Sequence, residues 1–146
     1  VVFYANQRLS LLTGDRFILR CSETAQNLRA QSGLGLEVLD NTTGQWRDVG
    51  TLSGGESFLT SLSLALGLSD AVQETSGGME LDAMFIDEGF GTLDDQSLHQ
   101  AVELLGKLAG GNRLIGVISH VGILKNRIDS QIQVVRTAEG SIIRQS

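Results

Sequence analysis

Residues 83–94 read AMFIDEGFGTLD, an unbroken apolar run followed by two adjacent acids and a turn that contains two glycines. A short apolar run without polar interruption is typical of a strand covered on both faces, and it predicts such a strand at residues 83–86. A second run of this kind, at residues 114–118, predicts another buried strand. Because a helical pattern separates the two, we expect parallel strands covered by helices.

Helical periodicity surrounds these strands. Residues 58–72 are apolar on most faces, which predicts a largely buried helix. Residues 98–108 carry apolar side chains three or four apart, and this second helix is expected to end at Gly110-Gly111. A short helix at residues 121–128 and a terminal hairpin complete this half of the chain. The hairpin strands are predicted at residues 132–136 and 142–144.

The first fifty residues have a different pattern. Residues 1–12 show helical spacing that stops at Thr13-Gly14, and we expect them to be the last turns of a longer helix. Three short strands with turn residues between them predict a small antiparallel sheet, and residues 22–33 a loop. The strands are predicted at residues 16–21, 34–39 and 46–49. The predicted fold is therefore α/β, with a small antiparallel sheet before a helix-covered, mostly parallel sheet.

Composition bounds the classes of protein to consider. A length of 146 residues with 41% hydrophobic content suits one domain. A net charge of -6 argues against a module that holds DNA by itself. The single cysteine, Cys21, allows no intrachain disulfide and fits a reducing cytoplasm. No apolar run is long enough to cross a bilayer. Because the chain opens at Val1 inside a helical pattern, we expect a fragment.

The motif LSGGE at residues 52–56 lies where a loop enters the first buried helix. Gly54 and Gly55 allow backbone amides to approach a ligand, and the positive end of the helix dipole favours phosphate. The Ser53 hydroxyl can add a hydrogen bond. The alternative is a capping box, since Ser53 and Glu56 have the required spacing. The residues alone leave both interpretations open.

Asp87 and Glu88 follow the first buried strand, at the edge where open α/β sheets bind ligands. In an extended chain, adjacent side chains point to opposite sides, so Asp87 could hold a metal while Glu88 polarises the attacking water. The alternative is a pair of solvated acids.

Polar residues at the ends of other elements complete the candidates. His120 follows the second buried strand and should emerge on the same edge as the two acids. Asp94 is a candidate helix N-cap, which does not exclude a second role. We interpret His99 as a structural or surface residue, and Cys21 and Trp46 as packing residues.

Taken in order, these elements resemble the ATP-binding-cassette ATPases. Residues 52–56 are similar to the signature motif, residues 84–88 to the Walker B strand and residues 91–94 to the D-loop, and His120 resembles the switch histidine. Within that superfamily, the segments LSGGESFL, DEGFGTLD and GVISHV are similar to the SbcC-type ATPases of bacterial DNA nucleases. They span residues 52–59, 87–94 and 116–121.

The resemblance implies ATP and magnesium as cofactors. It assigns Asp87 to the metal, and Glu88 and His120 to catalysis. It also assigns a set of residues to nucleotide binding, namely Ser53, Gly54, Gly55, Glu56 and Asp94. Residues 1–14 would be the end of a coiled-coil helix, and residues 15–146 the C-terminal ATPase lobe. Its strands before the signature helix would span residues 15–50, and its catalytic region residues 51–146.

The phosphate-binding loop Gly-x-x-x-x-Gly-Lys-Ser/Thr does not occur in this sequence. In the resembled family it lies in an N-terminal lobe, beyond a long coiled coil. The implied partners are therefore that N-terminal lobe, a second protomer, a metallophosphoesterase nuclease and, through the assembled complex, DNA. Two alternatives stay open: the head of another chromosome-organising or recombination ATPase, and a non-catalytic interaction module.

Overall fold

The computed structural model describes residues 1–22, 35–75, 83–110, 113–138 and 140–145. It confirms an α/β fold. In chain order, the helices are α1 (Val2–Thr13), α2 (Gly54–Thr75), α3 (Asp95–Ala109) and α4 (Gly122–Lys125). The strands are β1 (Phe17–Cys21), β2 (Leu36–Asp40), β3 (Gln45–Asp48), β4 (Ala83–Asp87), β5 (Leu114–Ile118), β6 (Ile132–Thr137) and β7 (Gly140–Gln145). Two short 3-10 turns lie at Val49–Thr51 and Phe90–Thr92.

The strands form three small sheets in the described part of the chain. β1, β2 and β3 form the predicted antiparallel sheet, in that order, and β6 and β7 form the terminal hairpin. β4 and β5 pair in parallel, with Asp87 opposite Ile118. The carboxyl ends of the two parallel strands therefore lie at one edge, as predicted.

The described elements of this chain cover only one face of β4 and β5, and not both as expected. Met84 and Ile86 pack against the core beneath the helices. On the opposite face, Phe85 is 70% exposed, and Leu114 and Ile118 are exposed as well. An unbroken apolar run is compatible with two covered faces, but no described element lies over the second one.

Two clusters of buried side chains form the core. One lies among α2, α3 and the Phe90–Thr92 turn, and the other between α1 and the antiparallel sheet. α1 contributes to both, because Leu12 lies in the first cluster and Leu9 in the second. This helix therefore connects the antiparallel sheet to the parallel part.

α1 packs closely against α2. A Cβ added at Gly67 would lie 2.4 Å from the backbone nitrogen of Ala5, so only glycine fits at this crossing. One turn along each helix, Arg8 forms a salt bridge of 2.8 Å with Asp70. α2 is thereby fixed along its middle.

Several predicted boundaries differ from the structure. α2 begins four residues before the predicted start, and its Leu68 side chain is exposed. α4 covers only Gly122–Lys125, shorter than the predicted 121–128. Most of the loop predicted at residues 22–33 lies outside the described residues. Within the described ranges, no helix has the length and apolar character needed to span a membrane.

Candidate active site

The capping box at the start of α2 is present. The Ser53 N–H donates to Glu56 Oε2 at 3.0 Å, and the Glu56 N–H donates to Ser53 Oγ at 3.4 Å. This reciprocal pair satisfies two backbone donors and explains why the helix begins at Gly54. The first-turn amides of Gly54 and Gly55 have no carbonyl partner within the helix. Capping and anion binding are therefore compatible here, and the phosphate role stays a prediction.

A cavity of about 840 Å³ opens beside this helix start. Its walls include Ser53, Gly54 and Gly55 on one side, and Thr92 and Asp94 on another. This volume lies within the range of small-molecule sites. A Cβ at Gly55 would lie 2.8 Å from the Thr92 carbonyl oxygen. The turn after β4 therefore packs directly on the glycines of LSGGE, and a side chain there would separate them.

Four charged side chains form a cluster at the first turn of α2. They belong to Arg16, Asp40, Arg47 and Glu56. Arg16 lies 3.0 Å from Glu56 Oε1 and 3.2 Å from Asp40 Oδ2, and Arg47 lies 3.6 Å from Glu56 and 3.7 Å from Asp40. A hydrogen bond from the Thr42 hydroxyl, with Arg16 nearby, lowers the pKa of Asp40 to about 2 despite its burial. The cluster joins the antiparallel sheet to the first turn of α2.

Two opposing effects act on the pKa of the Glu56 carboxyl group. Partial burial raises its pKa, but hydrogen bonds from Ser53 and the charges of Arg16 and Arg47 outweigh burial and lower the pKa overall. Glu56 therefore stays ionised at neutral pH and keeps the capping box intact. Sequence reasoning missed both arginines, since each is distant in sequence and neither belongs to a motif.

Glu88 and His120 meet at the carboxyl edge of the parallel pair. The Glu88 N–H donates to the Ile118 carbonyl at 2.9 Å, which ties the end of β4 to the end of β5. His120 Nδ1 lies 3.0 Å from Glu88 Oε2. Both side chains are largely exposed to solvent. The predicted convergence of these two residues is confirmed, and their catalytic roles stay predictions.

The chain does not remain extended through the two acids. β4 ends at Asp87, and Glu88 adopts a left-handed backbone conformation with φ 58°. For a residue with a Cβ this conformation costs roughly 1–2 kcal/mol. Strain of this kind is typical of functional sites, where surrounding contacts maintain it. The backbone therefore turns at Glu88, and the alternation of side chains along a strand does not set the direction of this residue.

Asp87 presents an exposed carboxylate at the end of β4. Among the described residues, none donates a hydrogen bond to it, and no group of three or more candidate ligands surrounds a possible metal position. Mg²⁺ suits this arrangement, because it commonly binds one or two carboxylates together with waters and substrate phosphates. The assignment of Asp87 to the metal stays a prediction.

The remaining candidates have defined structural places. Asp94 caps α3, accepting from the Ser97 N–H at 2.8 Å, and the Ser97 hydrogen bonds lower its pKa. His99 is exposed beside Glu103, as expected of a surface residue. The interpretation of Cys21 as a packing residue is wrong, because it is exposed at the last position of an edge strand. Trp46 is partly exposed, with the Arg20 guanidinium 3.8 Å above its ring.

Comparisons with known proteins point to one family. The family described as "SbcC/RAD50-like, Walker B motif" matches residues 23–107. The chain is 51% identical to the SbcC component of the nuclease SbcCD from Vibrio cholerae over 144 residues, and 47% identical to that from Treponema pallidum over 145 residues. Each match covers 99% of this chain. The chain spans only 14% of the length of either relative.

Solved structures show the same fold at low identity. The SMC head of Pyrococcus furiosus, bound to the C-terminal domain of ScpA, matches 99% of this chain and 34% of its own, with a TM-score of 0.70 and 18% identity. The SMC head of Thermotoga maritima matches 100% of this chain and 47% of its own, with a TM-score of 0.66 and 21% identity. These structures show the fold, and the family match with the sequence identities shows that the chain belongs to the SbcC/RAD50-like Walker B family.

Proposed function

We propose that this chain is the C-terminal half of an SbcC-type ATPase head, whose ATP hydrolysis opens and closes a dimer. The observation that carries the proposal is the Glu88–His120 pair, at 3.0 Å, beside Asp87 at the carboxyl edge of the parallel strands. A general base needs an ionisable group held in position by a hydrogen bond, and this pair supplies one. The family membership of the chain supports ATP as the substrate.

Each residue has a distinct task in this proposal. Bound ATP and magnesium supply the phosphoryl group and its charge neutralisation. Asp87 holds the metal. Glu88 accepts a proton from the attacking water at a carboxylate oxygen. His120 orients that carboxylate through Nδ1.

The chain contributes to two different sites. Asp87, Glu88 and His120 act on ATP held by the N-terminal lobe of the same protein. Ser53, Gly54 and Gly55, with the cavity beside them, close over ATP held by a second protomer, where their amides and hydroxyl bind phosphate. Glu56 maintains the capping box, and Asp94 connects the two sites at the dimer interface.

The exposed apolar face of β4 and β5 supports an N-terminal lobe as partner. Phe85, Leu114 and Ile118 are each more than half exposed on this face, and Ile132, Val134 and Ile143 are exposed on the terminal hairpin. Apolar surface of this kind is typical of a site that another element covers. Since the relatives are about seven times longer than this chain, their remaining length can supply the covering lobe. Residues 1–14 would then continue into a coiled coil.

The wider assembly is proposed by family likeness. The relatives are named as components of the nuclease SbcCD, which supports an SbcD-type metallophosphoesterase as partner and DNA ends as the object of processing. With a net charge of -6, this chain would meet DNA only through the assembled complex. The fold likeness to SMC heads favours a second candidate, a chromosome-organising ATPase. Copurification of a nuclease with the full-length protein distinguishes the two.

The isolated chain should neither bind ATP tightly nor hydrolyse it, because the phosphate loop that provides most contacts is not in this sequence. Calorimetric titration with ATP and magnesium measures this directly, with circular dichroism as the control for folding. Tight stoichiometric binding to a folded chain would show that the site is wrongly assigned.

A further inference from the structure

One aromatic ring connects α2 to the loop that carries Glu88. Phe58 lies five residues beyond Ser53 on α2. A Cβ added at Gly89 would lie 2.2 Å from two carbons of the Phe58 ring, so the ring packs directly on the backbone of Gly89. Phe58 also contacts Phe90 edge to face, with the ring centroids 4.9 Å apart. Phe90 is almost fully buried, which prevents the Phe58 ring from moving inward.

Gly89 directly follows the strained residue. Glu88 has φ 58° and Gly89 has φ 94°, so two successive residues occupy the left-handed region. This region is unfavourable for a residue with a Cβ, and contacts with surrounding residues maintain it. The Glu88 N–H is held by the Ile118 carbonyl on one side. On the other side, the Phe58 ring packs against the Gly89 backbone and fills the position that a side chain at residue 89 would take.

We propose that Phe58 is a positioning residue for ATP hydrolysis, acting through Gly89 to keep the Glu88 carboxylate beside His120. Packing in the core accounts for the contact of Phe58 with Phe90. Core packing does not by itself require the ring to lie on Gly89, the residue that follows the left-handed Glu88. This inference rests on the proposed ATPase function, since it concerns the base of that reaction.

The test is Phe58→Leu in the full-length protein, with ATP turnover measured over a range of ATP concentrations. Leucine keeps an apolar side chain but leaves a gap over Gly89. We expect kcat to fall roughly ten- to a hundredfold, because misplacing a reacting group by about 1 Å can cost on the order of 10²-fold. KM for ATP should not change. Val38→Ala, which removes buried methyl groups from the other core cluster, is the control and should retain the parent kcat.

Two further variants separate positioning from simple destabilisation. Gly89→Ala disturbs the same contact from the loop side, because the added Cβ would collide with the Phe58 ring. It should lower kcat as Phe58→Leu does, and it tests the contact independently if Phe58→Leu folds poorly. In a Glu88→Gln background, Phe58→Leu should have little further effect in single-turnover assays, because residues that act through one group are not additive.

A parent kcat for folded Phe58→Leu, or the same loss in both backgrounds, would overturn the role of Phe58 and leave the proposed function intact. A parent rate for Glu88→Gln itself would overturn the proposed function, and this inference with it. The two failures are therefore distinguishable.

Discussion

Glu88→Gln in the full-length protein should slow ATP hydrolysis by about 10²–10⁴-fold while ATP binding and head closure remain, because a positioned general base contributes about that much. Glutamine keeps the shape and one hydrogen-bonding oxygen, but it cannot accept the proton as a carboxylate does. The expected loss corresponds to roughly 3–5 kcal/mol of activation free energy, at 1.36 kcal/mol per decade. Steady-state turnover and nucleotide binding, measured on the same preparation, test both parts.

Two other variants make this result specific. Glu103→Gln is a matched control, because the Glu103 side chain on α3 is 52% exposed, as is that of Glu88, and its partners among the described residues, His99 and Lys107, are exposed as well. It should hydrolyse ATP at the parent rate, since exposed ion pairs contribute little. Asp87→Asn should weaken both ATP binding and turnover, because it disturbs the metal. If Glu88→Gln loses ATP binding as completely as Asp87→Asn, the division between base and metal ligand is wrong.

Ser53→Arg in the full-length protein should abolish ATP-dependent dimerisation of the heads. The arginine side chain would enter the cavity beside the first-turn amides of Gly54 and Gly55, where we propose that the phosphate of the second protomer binds. ATP binding by each protomer should survive, since that site belongs to the other lobe. Light scattering with and without ATP measures dimerisation, and ATP hydrolysis should fall with it.

The control for this variant lies on the same helix. Ser61→Arg introduces the same side chain at an exposed position of α2, away from the cavity. It should dimerise like the parent protein. If Ser53→Arg also dimerises normally, Ser53 serves only as the cap of α2, a role whose loss typically costs about 1 kcal/mol of stability.

The sequence predicted features that depend on local pattern. The bounds of β5 were predicted without error. The predicted end of α1 at Thr13-Gly14 is also observed, because Gly14 caps the helix in the left-handed conformation at φ 58°. The meeting of Glu88 with His120 was predictable because the ends of adjacent parallel strands share one edge. Helix caps and turns are encoded by neighbours in sequence, and the general rule that parallel strands share a carboxyl edge supplied the one long-range contact of the site that could be predicted.

Other features depend on contacts between distant segments. Arg16 and Arg47 reach Glu56 only after the antiparallel sheet has folded against α2, and no spacing rule indicates it. The Phe58 ring on Gly89 joins residues 31 positions apart in the same way. The exposed second face of β4 was not predicted, because an apolar run indicates that a face can be covered but does not identify the element that covers it.

The central claim is that this chain supplies one half of an ATPase head, and mixing it with the N-terminal lobe of its own full-length protein tests that claim most directly. ATP turnover should appear only when both pieces are present, and should rise with this chain until the two are equimolar. A mixture made with the Glu88→Gln form should form the same complex and remain almost inactive. Turnover by the chain alone, or a stable complex without turnover, would contradict the account.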